Sequence, residues 1–176
     1  MIDKTSREIK IENMAKNKQP LVVILEDIHD PHNAAAVWRN CDAFGIQKVF
    51  LIFNKEVEFD PKIVGKESSS SANKWLNFEI FHGTKECLDK IKEQGYRIYA
   101  TVLDEKAKDF SSPDFRFEEK AAIMLGNEHA GLSETAIKLA DEKIYIPMMG
   151  MVQSLNLSVT AGICLFEYTR QRKIAL

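Results

Sequence analysis

Several common enzymatic signatures are missing from this chain: there is no GxGxxG after the first apolar run, no GxxxxGKS/T loop, no HExxH and no GxSxG. Rossmann dinucleotide binding, P-loop phosphate binding, zinc proteolysis and serine hydrolysis therefore lose their usual sequence basis. Cysteine is scarce and odd in number. Cys41, Cys87 and Cys164 are far apart, each inside an apolar or helical stretch, which argues against a disulfide framework and against a Cys-rich zinc site. His29 and His32 are separated by the turn-forming Pro31, with no cysteine or acidic cluster to complete a coordination shell, so no metal is expected. No run approaches the ~18 apolar residues of a membrane span, and the first 20 residues are polar throughout. The expectation is a cytoplasmic protein, neither secreted nor in a membrane. Charge of one sign is lacking too: 24 Lys and Arg against 26 Asp and Glu leave a net −2. There is no general pull on nucleic acid, and any RNA contact has to come from a local patch.

What is present fits one domain. A chain of 176 residues with 45% hydrophobic content can bury a substantial core without disulfides or metal. Apolar, β-branched runs at 21 to 26, 48 to 53, 78 to 81, 97 to 102, 121 to 125 and 143 to 146 read as buried strands. Helical patterns at 33 to 44, 84 to 94, 132 to 140 and 154 to 172 fall between or after them. The alternation predicts an α/β fold with a mainly parallel sheet and helices on both faces. Residues 1 to 20 form a short, weakly basic N-terminal arm, with Lys4, Arg7, Lys10, Lys16 and Lys18, and residues 21 to 176 the domain. The polar run KESSSSANK at 66 to 74 reads as a surface loop. Ligands of such sheets gather at the carboxyl ends of the strands, which directs attention to the loops at 27 to 33, 102 to 108, 126 to 131 and 147 to 154.

In HDPHNAAAVWRNCDAFG, 29 to 45, Asn33 is the expected N-cap of a helix that Gly45 ends. Val37, Cys41 and Phe44 make its core stripe, and Arg39, about 200° round the axis from Val37, faces away from the core, as a surface residue or as a ligand for something large. In MLGNEHAGL, 124 to 132, glycines on either side of Glu128 allow close backbone approach. Glu128 reads either as a helix-head carboxylate or as an anchor for Arg39. In IPMMGMVQSLNLSVTAGICLFEYTRQR, 146 to 172, Pro147 ends a strand, MMGMV forms an apolar loop where an adenine-sized slot would be built, Ser154 is the expected N-cap, and Leu155, Val159, Gly162 and Phe166 continue the helix; the Met-rich loop reads either as core packing or as the wall of that slot.

These three stretches, in this order and spacing, resemble the motifs of the SpoU/TrmH branch of the SPOUT RNA 2′-O-methyltransferases, and the likeness runs from about residue 20 to 173. PHN, SSSSANKWL and IPMMGMVQSLNLS make it fullest with the members that methylate the D-loop guanosine at tRNA position 18. The resemblance implies a SPOUT fold with a deep C-terminal trefoil knot, which general topology rules would not suggest, and a homodimer. It implies S-adenosylmethionine as methyl donor, lined by Thr101, Gly126, Ile146, Met148 and Leu155, and RNA, above all tRNA rather than DNA, as acceptor; ribosomal RNA or another tRNA position is the alternative substrate, and a non-catalytic RNA-binding module the remaining one. Arg39 matches the residue that activates the ribose hydroxyl. Because arginine stays protonated, we read its role as stabilising the developing alkoxide, with an RNA phosphate or Glu128 tuning it and taking the proton. Asn33, Glu128, Ser154 and Asn156 match the other polar site positions, and a site composed across the dimer is expected. His32, Lys74, Arg170 and Arg172 are the candidate RNA contacts. The tRNA-modifying members continue past the basic TRQRK with a helical extension, which this chain, ending at Leu176, is expected to lack.

Overall fold

The computed structural model describes residues 5, 8, 12, 16–64 and 72–174. Most of the N-terminal arm, including Lys4, Arg7 and Lys10, and most of the 66–74 loop lie outside the described residues. Seven strands form one sheet: β1 (Gln19–Glu26), β2 (Ile46–Ile52), β3 (Asn77–Phe81), β4 (Arg97–Thr101), β5 (Lys108–Asp109), β6 (Ala121–Leu125) and β7 (Glu142–Tyr145). Their order is β3-β2-β1-β6-β4-β7-β5, and every pairing is parallel. The six longer strands fall on the apolar runs. The two-residue β5, which pairs only with β7, has no such run and could not be read.

The uninterrupted apolar character of β1 and β6 follows from burial on both faces. Side chains alternate across a strand, so Leu21, Val23 and Leu25 join one core, and Val22 and Ile24 the other. Each fully buried Val, Leu or Ile contributes about 1.5–3 kcal/mol of transfer free energy. The first core is roofed by α1 (Pro31–Ala43) and α4 (Leu157–Ile174), the second by α2 (Thr84–Glu93) and α3 (Glu134–Leu139). The buried face of α4 is Leu157, Ala161, Cys164, Leu165 and Tyr168. Its other apolar residues, Val159, Ile163 and Phe166, are 47%, 36% and 56% exposed.

Two helix starts differ from expectation. Asp30, not Asn33, caps α1: Pro31 occupies the first helical position, where its missing N–H costs nothing, and Asp30 Oδ1 accepts from His32 N at 2.8 Å. Asn156, not Ser154, caps α4, its Oδ1 accepting from Ser158 N and Oγ at 2.8 and 2.7 Å. At the other end of α1, Gly45 takes φ +74, and a Cβ there would lie 2.5 Å from the Asn17 carbonyl oxygen, which is why the helix stops on glycine. Among the described residues no helix is long and apolar enough to cross a membrane, and no group of three or more His, Cys, Asp or Glu could hold a metal ion.

Candidate active site

The strand order reverses direction between β1 and β6, and the crevice outside the carboxyl ends of strands at such a point is where parallel sheets bind ligands. Here the chain leaving β1 turns at Asp27 with φ +50, a conformation that residues other than glycine rarely adopt. Asp27 secures the turn itself. Its Oδ1 accepts the N–H groups of Asn54, Lys55 and Glu56 at 2.7, 2.9 and 3.3 Å, and its carbonyl accepts from Asn127 Nδ2 at 2.8 Å. One residue thus ties together the loops that follow β1, β2 and β6. Beneath them, the buried Glu26 carboxylate accepts from Thr84 Oγ1, Ser133 N and Ser133 Oγ.

The turn presents the next N–H groups to the loop after β6. His29 N and Asp30 N donate to Glu128 at 2.9 and 3.2 Å, and Asn33 Nδ2 donates to the same carboxylate at 2.8 Å. Asn33 Oδ1 accepts from Asn156 Nδ2 at 3.1 Å. Glu128, Asn33 and Asn156 therefore form one string of bonds joining the three stretches singled out in the sequence. Burial pushes the Glu128 carboxyl up, but the donors from Asn33, His29 and Asp30 outweigh it and hold it below its ordinary value. Within one chain Ser133 caps α3, and the Glu128 carboxylate is bonded to the start of α1.

A cleft of about 680 Å³ opens beside this string. Its floor is Thr101 to Leu103 after β4 and Leu125 to Leu132 after β6; its walls are Tyr145, Ile146 and Met148 after β7 and Gln153 to Leu157 before α4. Thr101, Gly126, Ile146, Met148 and Leu155 all line it, as do Asn33, Glu128, Ser154 and Asn156. Gly126 is required by packing: a Cβ would sit 2.3 Å from both the Gly131 carbonyl carbon and the Leu132 nitrogen. Of the Met-rich loop only Met148 turns inward, while Met149 and Met151 are 95% and 99% exposed. The volume suits a nucleoside-sized ligand, with half-buried apolar walls and polar backbone at the strand ends.

The remaining candidates lie outside the cleft. Arg39 is exposed and does not line it within one chain. His32 is exposed on the first turn of α1, and Lys74 is exposed on a short 3-10 turn, Ala72–Lys74. Arg170 is held by Glu167 through Nε and Nη2 at 2.7 and 2.6 Å. Arg172 reaches Glu119 at 3.2 Å and stacks over Tyr168. At ~1.5 Å per residue both lie roughly 20 Å along α4 from its cleft end. Sequence reasoning missed Asp27, Glu56 and Asn127. The acidic run EDIHD was the available signal, since Asp tolerates left-handed turns.

A family model described as the SpoU rRNA Methylase family matches residues 20–166. The chain is 40% identical over 168 residues to a tRNA (guanosine(18)-2′-O)-methyltransferase of Thermus thermophilus, covering 95% of this chain and 84% of that protein. It superposes on the crystal structure of the A. aeolicus TrmH/SpoU tRNA modifying enzyme with a TM-score of 0.79 at 30% identity, over 96% of this chain and 85% of the other. A second solved structure, the SpoU methyltransferase AviRb from Streptomyces viridochromogenes in complex with the cofactor AdoMet, matches with a TM-score of 0.73 at 26% identity, over 86% and 57% of the two chains.

Proposed function

The chain belongs to the SpoU rRNA methylase family, and from that membership we propose that it is an S-adenosylmethionine-dependent RNA ribose 2′-O-methyltransferase whose substrate is tRNA, at the guanosine of position 18. The observation that carries the reading is the Glu128–Asn33–Asn156 string beside a nucleoside-sized cleft. The residues fit the methyl donor. Thr101, Gly126, Ile146, Met148 and Leu155 would hold its adenosine, and the backbone-tight turn at Gly126 leaves no room for a side chain at that position. When bound, S-adenosylmethionine supplies an activated methyl group from its sulfonium. We read the C-terminal segment from β6 to α4 as the family's knot.

The chain's own residues have to make a ribose hydroxyl nucleophilic. Glu128 is a poor proton acceptor, because three donors already hold its two oxygens and its carboxyl is kept below the ordinary range. Its role is to position Asn33, and through Asn33 the polar end of the cleft. Arg39, permanently charged, stabilises the alkoxide as it develops, and the proton passes to an RNA phosphate or to water. Ser154 and Asn156 order the ribose side of the cleft.

Arg39 reaches a cleft through a second copy of the chain. The exposed stripe Val159, Ile163 and Phe166 repeats at i, i+4 and i+7 on α4, and Phe44 at the end of α1 packs on Phe166, so α1 and α4 share the face that would pair in a homodimer. The test is methyl transfer from labelled S-adenosylmethionine to unmodified tRNA transcripts, with the modified nucleotide mapped. Label on the D-loop guanosine, lost in Arg39→Ala and cut at least tenfold in Arg39→Lys, is the expected result. Label confined to ribosomal RNA fragments would overturn the substrate, and full turnover by Arg39→Lys would overturn the need for the planar guanidinium.

A further inference from the structure

Three of the chain's four histidines, His29, His32 and His129, surround the Asn33–Glu128 bond, and the mechanism above uses none of their rings. The rings of His29 and His129 meet edge to face at 5.9 Å. His29 is the most constrained: its Nδ1 lies 3.1 Å from Glu56 Oε2, and its side chain is 60% exposed. We propose that His29 is a contact for the RNA backbone, its Nε2–H donating to a phosphate oxygen next to the ribose that enters the cleft. The inference rests on the RNA substrate proposed above.

Three observations carry it. With Nδ1 donating to Glu56, Nε2 is the ring's outward nitrogen, and it becomes an N–H donor when the ring is protonated. The nearby carboxylates turn their oxygens to donors of their own rather than to the space outside the ring. Glu56 takes His29 and Asn127, Glu128 takes three donors, Asp30 takes His32 N, and Asp27 takes the 54–56 backbone. Finally, the His29 backbone N–H is bonded to Glu128, which is bonded to Asn33, so the residue that carries the ring is tied to the polar end of the cleft. In a chain of net charge −2, a phosphate contact has to be built locally in this way.

The groups facing the ring are Glu56, Glu128, Asp30 and His129. The hydrogen bond and the charge of Glu56, aided by Glu128 and Asp30 against a small burial effect, raise the His29 pKa above its ordinary value. The charged ring therefore persists to higher pH than in a free imidazole, and the contact weakens as pH rises through the raised value. Glu56→Gln moves that loss to lower pH.

The experiment is equilibrium binding of unmodified tRNA transcript to the full chain from pH 6 to 8.5 at several salt concentrations, for wild type, His29→Gln and Glu56→Gln, with methyl transfer measured in parallel. At pH 6, His29→Gln should bind roughly tenfold more weakly, and its log K against log salt slope should be shallower by about 0.7–0.9, one phosphate contact. At pH 8.5 the two should converge, and Glu56→Gln should converge with His29→Gln at lower pH than wild type does. His82→Gln, at an exposed histidine paired with Glu58, should behave as wild type. Equal affinity and slope for wild type and His29→Gln at pH 6 would overturn the proposal. Binding is read without turnover. Hence a wild type that binds in this pH-linked way but transfers no methyl supports the contact and sinks the reaction assignment, whereas normal turnover with pH-independent binding sinks the contact alone.

Discussion

Glu128 organises its surroundings only while ionised, because three N–H donors converge on it. Its carboxyl is held below its unfolded value, so its stabilising contribution is complete above about pH 5 and is lost as pH falls through the folded value. Urea midpoints measured at pH 7 and pH 4 should therefore fall further for wild type than for Glu128→Gln, which should start lower. Equal declines would mean the carboxylate carries no linkage. The buried cysteines behave oppositely. Burial pushes the Cys164 thiol up to about 12 and Cys41 and Cys87 higher still, which leaves all three inert as nucleophiles or metal ligands at neutral pH.

The helix starts show how one element serves both packing and site. Asn156 caps α4 with its oxygen and holds Asn33 with its nitrogen. Asn156→Ala should cost ~1 kcal/mol of stability as a lost cap together with activity. Asn156→Asp should keep the cap, with an unfolding midpoint near wild type, and lose methyl transfer alone; thermal melts beside turnover separate the two. This bifunctional residue also explains what the sequence could and could not disclose. Strands buried on both faces announce themselves as apolar runs, so six of the seven were legible, and the three motif stretches named the cleft. The caps were not, because DPHN and SLN each offer two side chains able to cap, and only the tertiary position of Glu128 decides that Asn33 is needed elsewhere. Glu56 and Asn127 were silent for the same reason, and the run around Asp27 could signal its turn but not its partners: these bonds span 27 to 100 residues, beyond any local pattern. The outward face of α4 hid the period of its core, since apolar Val159, Ile163 and Phe166 lie between the residues that are buried.

At the scale of the whole molecule the distribution of residues predicts an assembly test. Glu128, Asn156 and the residues proposed to hold the cofactor lie in one chain's cleft, while Arg39 lies on α1 outside it. Mixing inactive Arg39→Ala with inactive Glu128→Ala under exchange should restore about a quarter of wild-type turnover, since half of the dimers are mixed and one of each pair of sites is whole. No recovery would place Arg39 in the cleft of its own chain. Phe166→Glu should abolish both dimer and recovery, read by sedimentation. The sheet order has a further consequence, during synthesis. β1 pairs with β6 from Leu21 opposite Ala121 to Leu25 opposite Leu125, so one edge of this strand has no partner until a hundred further residues have left the ribosome. For most of translation that edge is a bare hydrogen-bonding template. Asp27 and His29 meet Asn127 and Glu128 only when it closes, so the reaction centre is born with the last third of the chain.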